Sequence, residues 1–167
     1  MPGPYLIKAI SDKAGLRDFI RLPHRLYADD PNWVPPLDFE RREALSPKHP
    51  FNLHAEWQGF VAYADGLPVG RITAQIDQLY LERHDPKTGF FGMIEGADDP
   101  ELFAALTDTA ESWLRERGMT RILGPFNLNV NQEVGLLVEG FDTPPYFLMG
   151  HARPYYQEHM LACGYQG

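Results

Sequence analysis

The chain has almost no cysteine. Cys163 stands alone, so an internal disulfide is excluded, and no second thiol or His-x-x-x-His step supplies zinc-ligand spacing. Positive charge is also scarce. Fifteen Lys and Arg against 23 Asp and Glu give a net charge of −8, a sign that repels phosphodiester backbones and anionic membrane surfaces. Long apolar runs are missing too. Stretches such as Gly135-Leu136-Leu137-Val138 end far short of the ~20 residues that cross a bilayer. The start, Met1-Pro2-Gly3-Pro4-Tyr5, lacks the charged and apolar regions of a signal peptide, and the expectation is a cytoplasmic protein binding neither nucleic acid nor membrane. Phosphate loops of the Walker or dinucleotide type are absent.

What is present suits one globular domain over 1–167: 44% hydrophobic and 13% aromatic residues, enough for a single core. Tyr5 to Ile10 reads as a strand, and Ser11 as the cap of a helix carrying Leu16, Phe19 and Ile20, which Pro23 stops or bends. The run Asp29-Asp30-Pro31-Asn32-Trp33-Val34-Pro35-Pro36 forbids a regular helix, and Trp33 and Val34 make it an ordered loop that either covers a cleft or only connects elements. A short helix follows at 39–45. Two β-rich runs, Trp57–Ala64 and Leu67–Ile76, meet at Asp65-Gly66 and predict a hairpin. Thr88–Glu95 is a third long strand. Asp98 or Asp99 with Pro100 opens the clearest helix, striped by Phe103, Leu106, Ala110, Trp113 and Leu114 and ended by Gly118. Arg121–Pro125 is a short strand, Asn131–Val138 a brief helix, and Arg153–Cys163 a last helix with Tyr156, Met160 and Cys163 on one side. The fold class is therefore α/β with an antiparallel central hairpin.

Val69-Gly70-Arg71-Ile72 after the hairpin, the aromatic strand, the helix ending at Gly118, and Tyr155-Tyr156 leading to Gly164-Tyr165 together resemble the Gcn5-related N-acetyltransferase (GNAT) superfamily. Asp30-Pro31-Asn32-Trp33, Gly124-Pro125-Phe126-Asn127 and Asn131-Gln132-Glu133-Val134-Gly135 are similar to a little-characterised bacterial group within it. The resemblance implies a mixed, mostly antiparallel sheet flanked by helices and opened into a V between Thr88–Glu95 and Arg121–Pro125. It also implies transfer of an acetyl group from acetyl-CoA to an amine, with a small-molecule ligand in the V. The family pattern continues into two further strands after Gly164-Tyr165. One expectation is therefore a domain lacking its final strands, whose unpaired sheet edge seeks a second copy or a partner domain.

Candidate residues follow from the same likeness. Phe91, Met93 and Ile94 lie on the strand whose amides would hold the acyl carbonyl. Glu133 is a carboxylate of the right type to take an amine proton, and Asn127, Asn129 and Asn131 could bind a polar ligand or serve turns. Tyr155 or Tyr156 would return a proton to sulfur, or simply pack; the spacing does not rank them. His151 is a base near neutral pH or a turn residue. Glu95-Gly96-Ala97-Asp98-Asp99-Pro100 replaces the glycine-rich pyrophosphate loop of the family with two aspartates, which would satisfy the helix start themselves and repel phosphate. A catalytically inactive domain of this fold, binding a ligand or a partner, is the alternative reading.

Overall fold

The computed structural model describes residues 3–167. Five strands form one sheet in the order of the chain: β1 (Leu6–Ala9), β2 (Ala55–Ala64), β3 (Leu67–Asp77), β4 (Thr88–Gly96) and β5 (Arg121–Leu123). β1 to β4 pair antiparallel, and β5 joins β4 in parallel. Around the sheet lie α1 (Lys13–Leu26), α2 (Asp38–Ala44), a 3-10 turn at Pro50–Leu53, α3 (Gln78–Arg83), α4 (Pro100–Glu116) and α5 (Tyr155–Ala162). No helix among the described residues is long and apolar enough to cross a membrane.

The β2–β3 hairpin closes on Asp65 and Gly66 with φ of 50° and 77°, the paired positive angles a tight primed turn requires. β3 then buries both faces. Ile72, Ala74 and Ile76 meet Leu102, Phe103, Leu106, Ala110 and Leu114 of α4, and each fully buried Leu or Phe contributes roughly 1.5–3 kcal/mol. On the opposite face Arg71, Thr73 and Gln75 are buried beside the cluster of Phe19, Ile20, Val61, Met93 and Leu128.

Pro23 does not end α1. A proline cannot donate to the carbonyl four residues earlier, which here is Phe19 O. Arg71 supplies the missing donor, its Nη1 lying 2.7 Å from that carbonyl, and the helix runs on to Leu26. The cap of α1 is Asp12 rather than Ser11, its carboxylate accepting from Gly15 N at 2.7 Å. Asp99 caps α4. α3, absent from the sequence reading, is capped by Asp77. The segment 131–138 forms no helix. Asn129 bonds the amide of Asn131, Gly135 sits at φ 87°, and Phe126 bridges Val134. The last helix starts two residues later than expected, at Tyr155.

Strands β4 and β5 stay paired only from Thr88–Arg121 to Phe90–Leu123. Beyond Phe90 the register of β4 against β3 shifts, Met93 adopts φ 49°, and the chain leaving β5 swings over Gly92. An added Cβ at Gly92 would lie 1.7 Å from Phe126 O, so only glycine admits that crossing. The sheet opens there.

Candidate functional site

The left-handed Met93 aims its peptide groups at two side chains. Its N–H donates to Asn127 Oδ1 at 2.8 Å, and its carbonyl accepts from Arg71 Nε at 3.0 Å. A non-glycine residue in this region costs on the order of 1–3 kcal/mol, so the surroundings must hold it. Arg71 is buried, its guanidinium 4.8 Å from the centre of the Phe19 ring, and its ionic counterpart is Glu95.

Glu95, at the end of β4, is partly buried. Tyr27 and Tyr156 both donate to the same oxygen, Oε2, at 2.7 and 2.5 Å. Among the described residues Oε1 has no hydrogen-bond partner in the protein. Burial pushes the Glu95 carboxyl above its ordinary range, against the opposing pull of Arg71 and the two hydroxyls. The same burial, with Glu95 beside them, raises both tyrosines, so they remain neutral donors.

Glu95 opens into a cleft of about 580 Å³. Arg41 and Glu133 face each other across part of it, 2.8 Å apart, and Asn127 Nδ2 holds the other Glu133 oxygen at 2.7 Å. Trp33 stacks on Tyr27 with ring centres 5.3 Å apart. Toward the mouth the lining becomes apolar: Val34, Leu37, Tyr146, Phe147, Leu148 and Met149 are all exposed, Tyr146 and Phe147 by 88% and 91%.

The structure thus brings Asn127, Glu133, Met93, Ile94 and Tyr156 into one cleft. Phe91 lies under the sheet opening in the core. Tyr155, half-buried, donates to Gly96 O at 2.7 Å. Asn129 and Asn131 face a second cleft, of about 560 Å³, beside Phe51, Tyr80 and Phe90. Sequence reasoning missed Glu95, Tyr27, Arg71 and Arg41. The one available sign was an acidic residue directly after the apolar run Phe90–Ile94.

Chains of this shape are known. The tandem GNAT protein of clavulanic acid biosynthesis matches 96% of this chain with 43% of its own, at 13% identity and a TM-score of 0.63. An aminoglycoside acetyltransferase from soil metagenomic DNA, in complex with sisomicin, matches 74% of this chain and 78% of its own (14% identity, TM-score 0.52). A predicted acetyltransferase of Clostridium acetobutylicum with acetyl-CoA covers 71% and 79% (12%, 0.51). The chain therefore has the GNAT fold. By sequence it is 53% identical over 160 residues to Protein YghO of Escherichia coli, covering 96% of this chain. It is 56% identical over 144 residues to the bacterial ceramide synthase of Caulobacter vibrioides, covering 85%. It spans only 41% and 38% of the length of those two proteins. No family model matches it.

The fold family implies a coenzyme A seat along the end of β4 and the start of α4, and the residues there do not fit it. Gly96 N–H donates to Tyr156 OH at 3.1 Å, and Gly96 O is taken by Tyr155. At α4 the amide of Glu101 is bonded by Asp99 at 2.8 Å, Tyr5 bonds the other Asp99 oxygen, and Asp98 pairs with His159 at 2.7 Å. Hydrogen bonding from Tyr5 and the helix amides, outweighing desolvation, holds the Asp99 carboxyl below its ordinary range. A pyrophosphate would meet a carboxylate and spent donors.

Proposed function

We propose that this chain is the amine-binding lobe of an N-acyltransferase acting on hydrophobic amines, working as one GNAT-fold unit within a longer protein. The cleft carries this reading. It joins a carboxylate with a raised proton affinity and a free oxygen to a mouth lined by exposed apolar side chains. An ammonium attached to an alkyl chain is complementary to both ends, and a small hydrophilic amine only to one.

An amine attacks an acyl carbon only after losing its proton. Glu95 is the residue assigned to take it: Tyr27 and Tyr156 fix Oε2, so Oε1 is presented in one orientation, and burial brings its proton affinity closer to that of the amine. Glu133 has both oxygens engaged, by Arg41 and Asn127, and its role here is to hold the Asn127 amide that in turn fixes Met93. No step is routed through coenzyme A in this lobe. The identity with a bacterial ceramide synthase supports an acceptor of this kind, since a ceramide is the N-acyl derivative of a long-chain amine. The tandem GNAT neighbour, of which this chain matches 43%, supports a lobe that shares its work with another.

Octylamine, followed by quenching of Trp33 fluorescence with a Trp33→Phe control, tests the proposal. Octylamine should bind better than octanol or octanoate, and Glu95→Gln should weaken it by roughly tenfold, as losing a charge-assisted contact does. Equal binding of all three ligands, or no effect of Glu95→Gln, would sink it.

A further inference from the structure

Arg71 has donors to spare. Its Nε is used by Met93 O at 3.0 Å and one N–H of its Nη1 by Phe19 O at 2.7 Å, while Nη2 has no hydrogen-bond partner among the described residues. The buried side-chain nitrogens and oxygens that lack a partner are Thr73 Oγ1, Gln75 Oε1 and His151 Nδ1. Nη2 is not one of them, so it borders open space, and the space that Arg71 lines is the cleft. The residue as a whole is only 9% exposed, and its two bonds and the Phe19 ring, 4.8 Å from the guanidinium carbon, hold the group in place. A fixed and nearly buried cation thus presents unused donors to a ligand space, where a buried polar group is normally satisfied.

Strand register sets what lies beside it. Arg71 of β3 is the cross-strand partner of Glu95 of β4. Such partners carry their side chains on the same face of the sheet with Cβ atoms about 4.5–5.5 Å apart, so guanidinium and carboxylate belong to one stretch of the cleft wall. Arg41, another cation of that wall, is engaged by Glu133 at 2.8 Å. An anion placed against Arg71 would therefore meet the fields of Glu95 and Glu133, whereas a neutral carbonyl oxygen accepts the same N–H without that repulsion.

We infer that Arg71 is a ligand-binding residue of the cleft whose Nη2 donates to the carbonyl oxygen of an N-alkyl amide, the product of the proposed reaction. This rests on the amine reading above and assigns a residue to the acyl half of the ligand. N-acylation puts a carbonyl oxygen two bonds from the nitrogen that Glu95 addresses, and Arg71 is the strand neighbour of Glu95 with N–H groups open to receive it. The backbone amide of Met93, expected from the sequence to hold that oxygen, is already spent on Asn127 Oδ1 at 2.8 Å.

The test compares N-octylacetamide with N-octylthioacetamide on the 167-residue chain by calorimetry, with octylamine and octanoate alongside. Sulfur accepts hydrogen bonds more weakly than oxygen, while the thioamide keeps the alkyl chain and the N–H. The wild type should bind the amide roughly tenfold tighter than the thioamide and tighter than octanoate, and Arg71→Met should erase the amide preference. Should Arg71→Met fail to fold, the wild type still decides: the side-chain nitrogen resonances of Arg71 should move with the amide and not with the thioamide. If octylamine binds but amide and thioamide bind alike, if octanoate outbinds the amide, or if the preference survives Arg71→Met, the inference is wrong and the amine reading stands. If octylamine does not bind, the amine reading falls and this one falls with it.

Discussion

Removing the Tyr156 hydroxyl probes the cleft floor most directly. In Tyr156→Phe two short bonds disappear, the donation to Glu95 Oε2 at 2.5 Å and the acceptance from Gly96 N–H at 3.1 Å, with a long one from Tyr27 at 3.5 Å. A hydrogen bond to a charged group contributes about 1.5–3 kcal/mol, and a stranded buried N–H costs about 1–3 kcal/mol. The expected loss is roughly 3 kcal/mol at neutral pH, or a fall in Tm of about 6–12 °C for a domain of this size. Tyr27→Phe should cost about half as much, because its only short bond is the one to Glu95, the others lying at 3.5 Å. The pH dependence separates the bonds further. Burial raises the Glu95 carboxyl, so its contribution favours folding below its unfolded value and is lost as pH climbs through the folded one. The tyrosine bonds favour the ionised form, so they are worth most above that titration. The deficit of Tyr156→Phe should therefore grow as pH rises above the ordinary carboxylate range, read by urea unfolding. A deficit independent of pH, or Tyr27→Phe costing as much as Tyr156→Phe, would show that Glu95 is not held as described.

Three further outcomes follow. Gly92→Ala places a Cβ 1.7 Å from Phe126 O, a backbone atom also held by Gln75 at 2.7 Å, and should destabilise by about 3 kcal/mol or more. Gly135→Ala, in open space at φ 87°, should cost only about 1–2 kcal/mol; equal urea midpoints for the two would refute the steric account. Arg41→Met breaks a partly exposed ion pair and should change stability by less than about 1 kcal/mol, yet tighten octylamine binding about threefold, because Glu133 loses its own cation. Weaker binding in calorimetry would mean that Arg41 shapes the wall instead. Asp98→Gly with Asp99→Gly should lose about 1 kcal/mol of helix capping and gain a thermal shift with millimolar coenzyme A that the parent lacks. A parent already stabilised by coenzyme A would contradict the account of α4.

Elements whose causes are local were legible in the sequence. Asp65-Gly66 specifies its turn through two adjacent φ angles, and α4 carries cap, stripe and terminator within the twenty residues from Asp99 to Gly118. Elements with distant causes were not. Pro23 predicts a stop or a bend, and only a guanidinium 48 positions away, at Arg71, explains why the helix runs on to Leu26. The helix expected at 131–138 fails for the same kind of reason, since Gly135 takes φ 87° in a loop that Phe126 bridges at Val134. The site divides in the same way. Asn127 and Glu133 share one loop and were named together, whereas Glu95, Tyr27, Arg71 and Arg41 come from four segments that only the folded chain brings to one place.

Tyr155 and Tyr156 connect the two halves of the functional reading. They are neighbours on α5, and between them they consume both polar groups of Gly96, the residue past which a pyrophosphate would lie. The same Tyr156 hydroxyl then fixes Glu95. A tyrosine pair that rotated away to free the Gly96 amide would also release the Glu95 carboxylate, so in this lobe a coenzyme seat and an oriented proton acceptor compete for one side chain. On the proposed function the filled donor seat and the amine site are consequences of a single arrangement, and a variant that gains coenzyme binding through Tyr156 should lose amine binding in proportion.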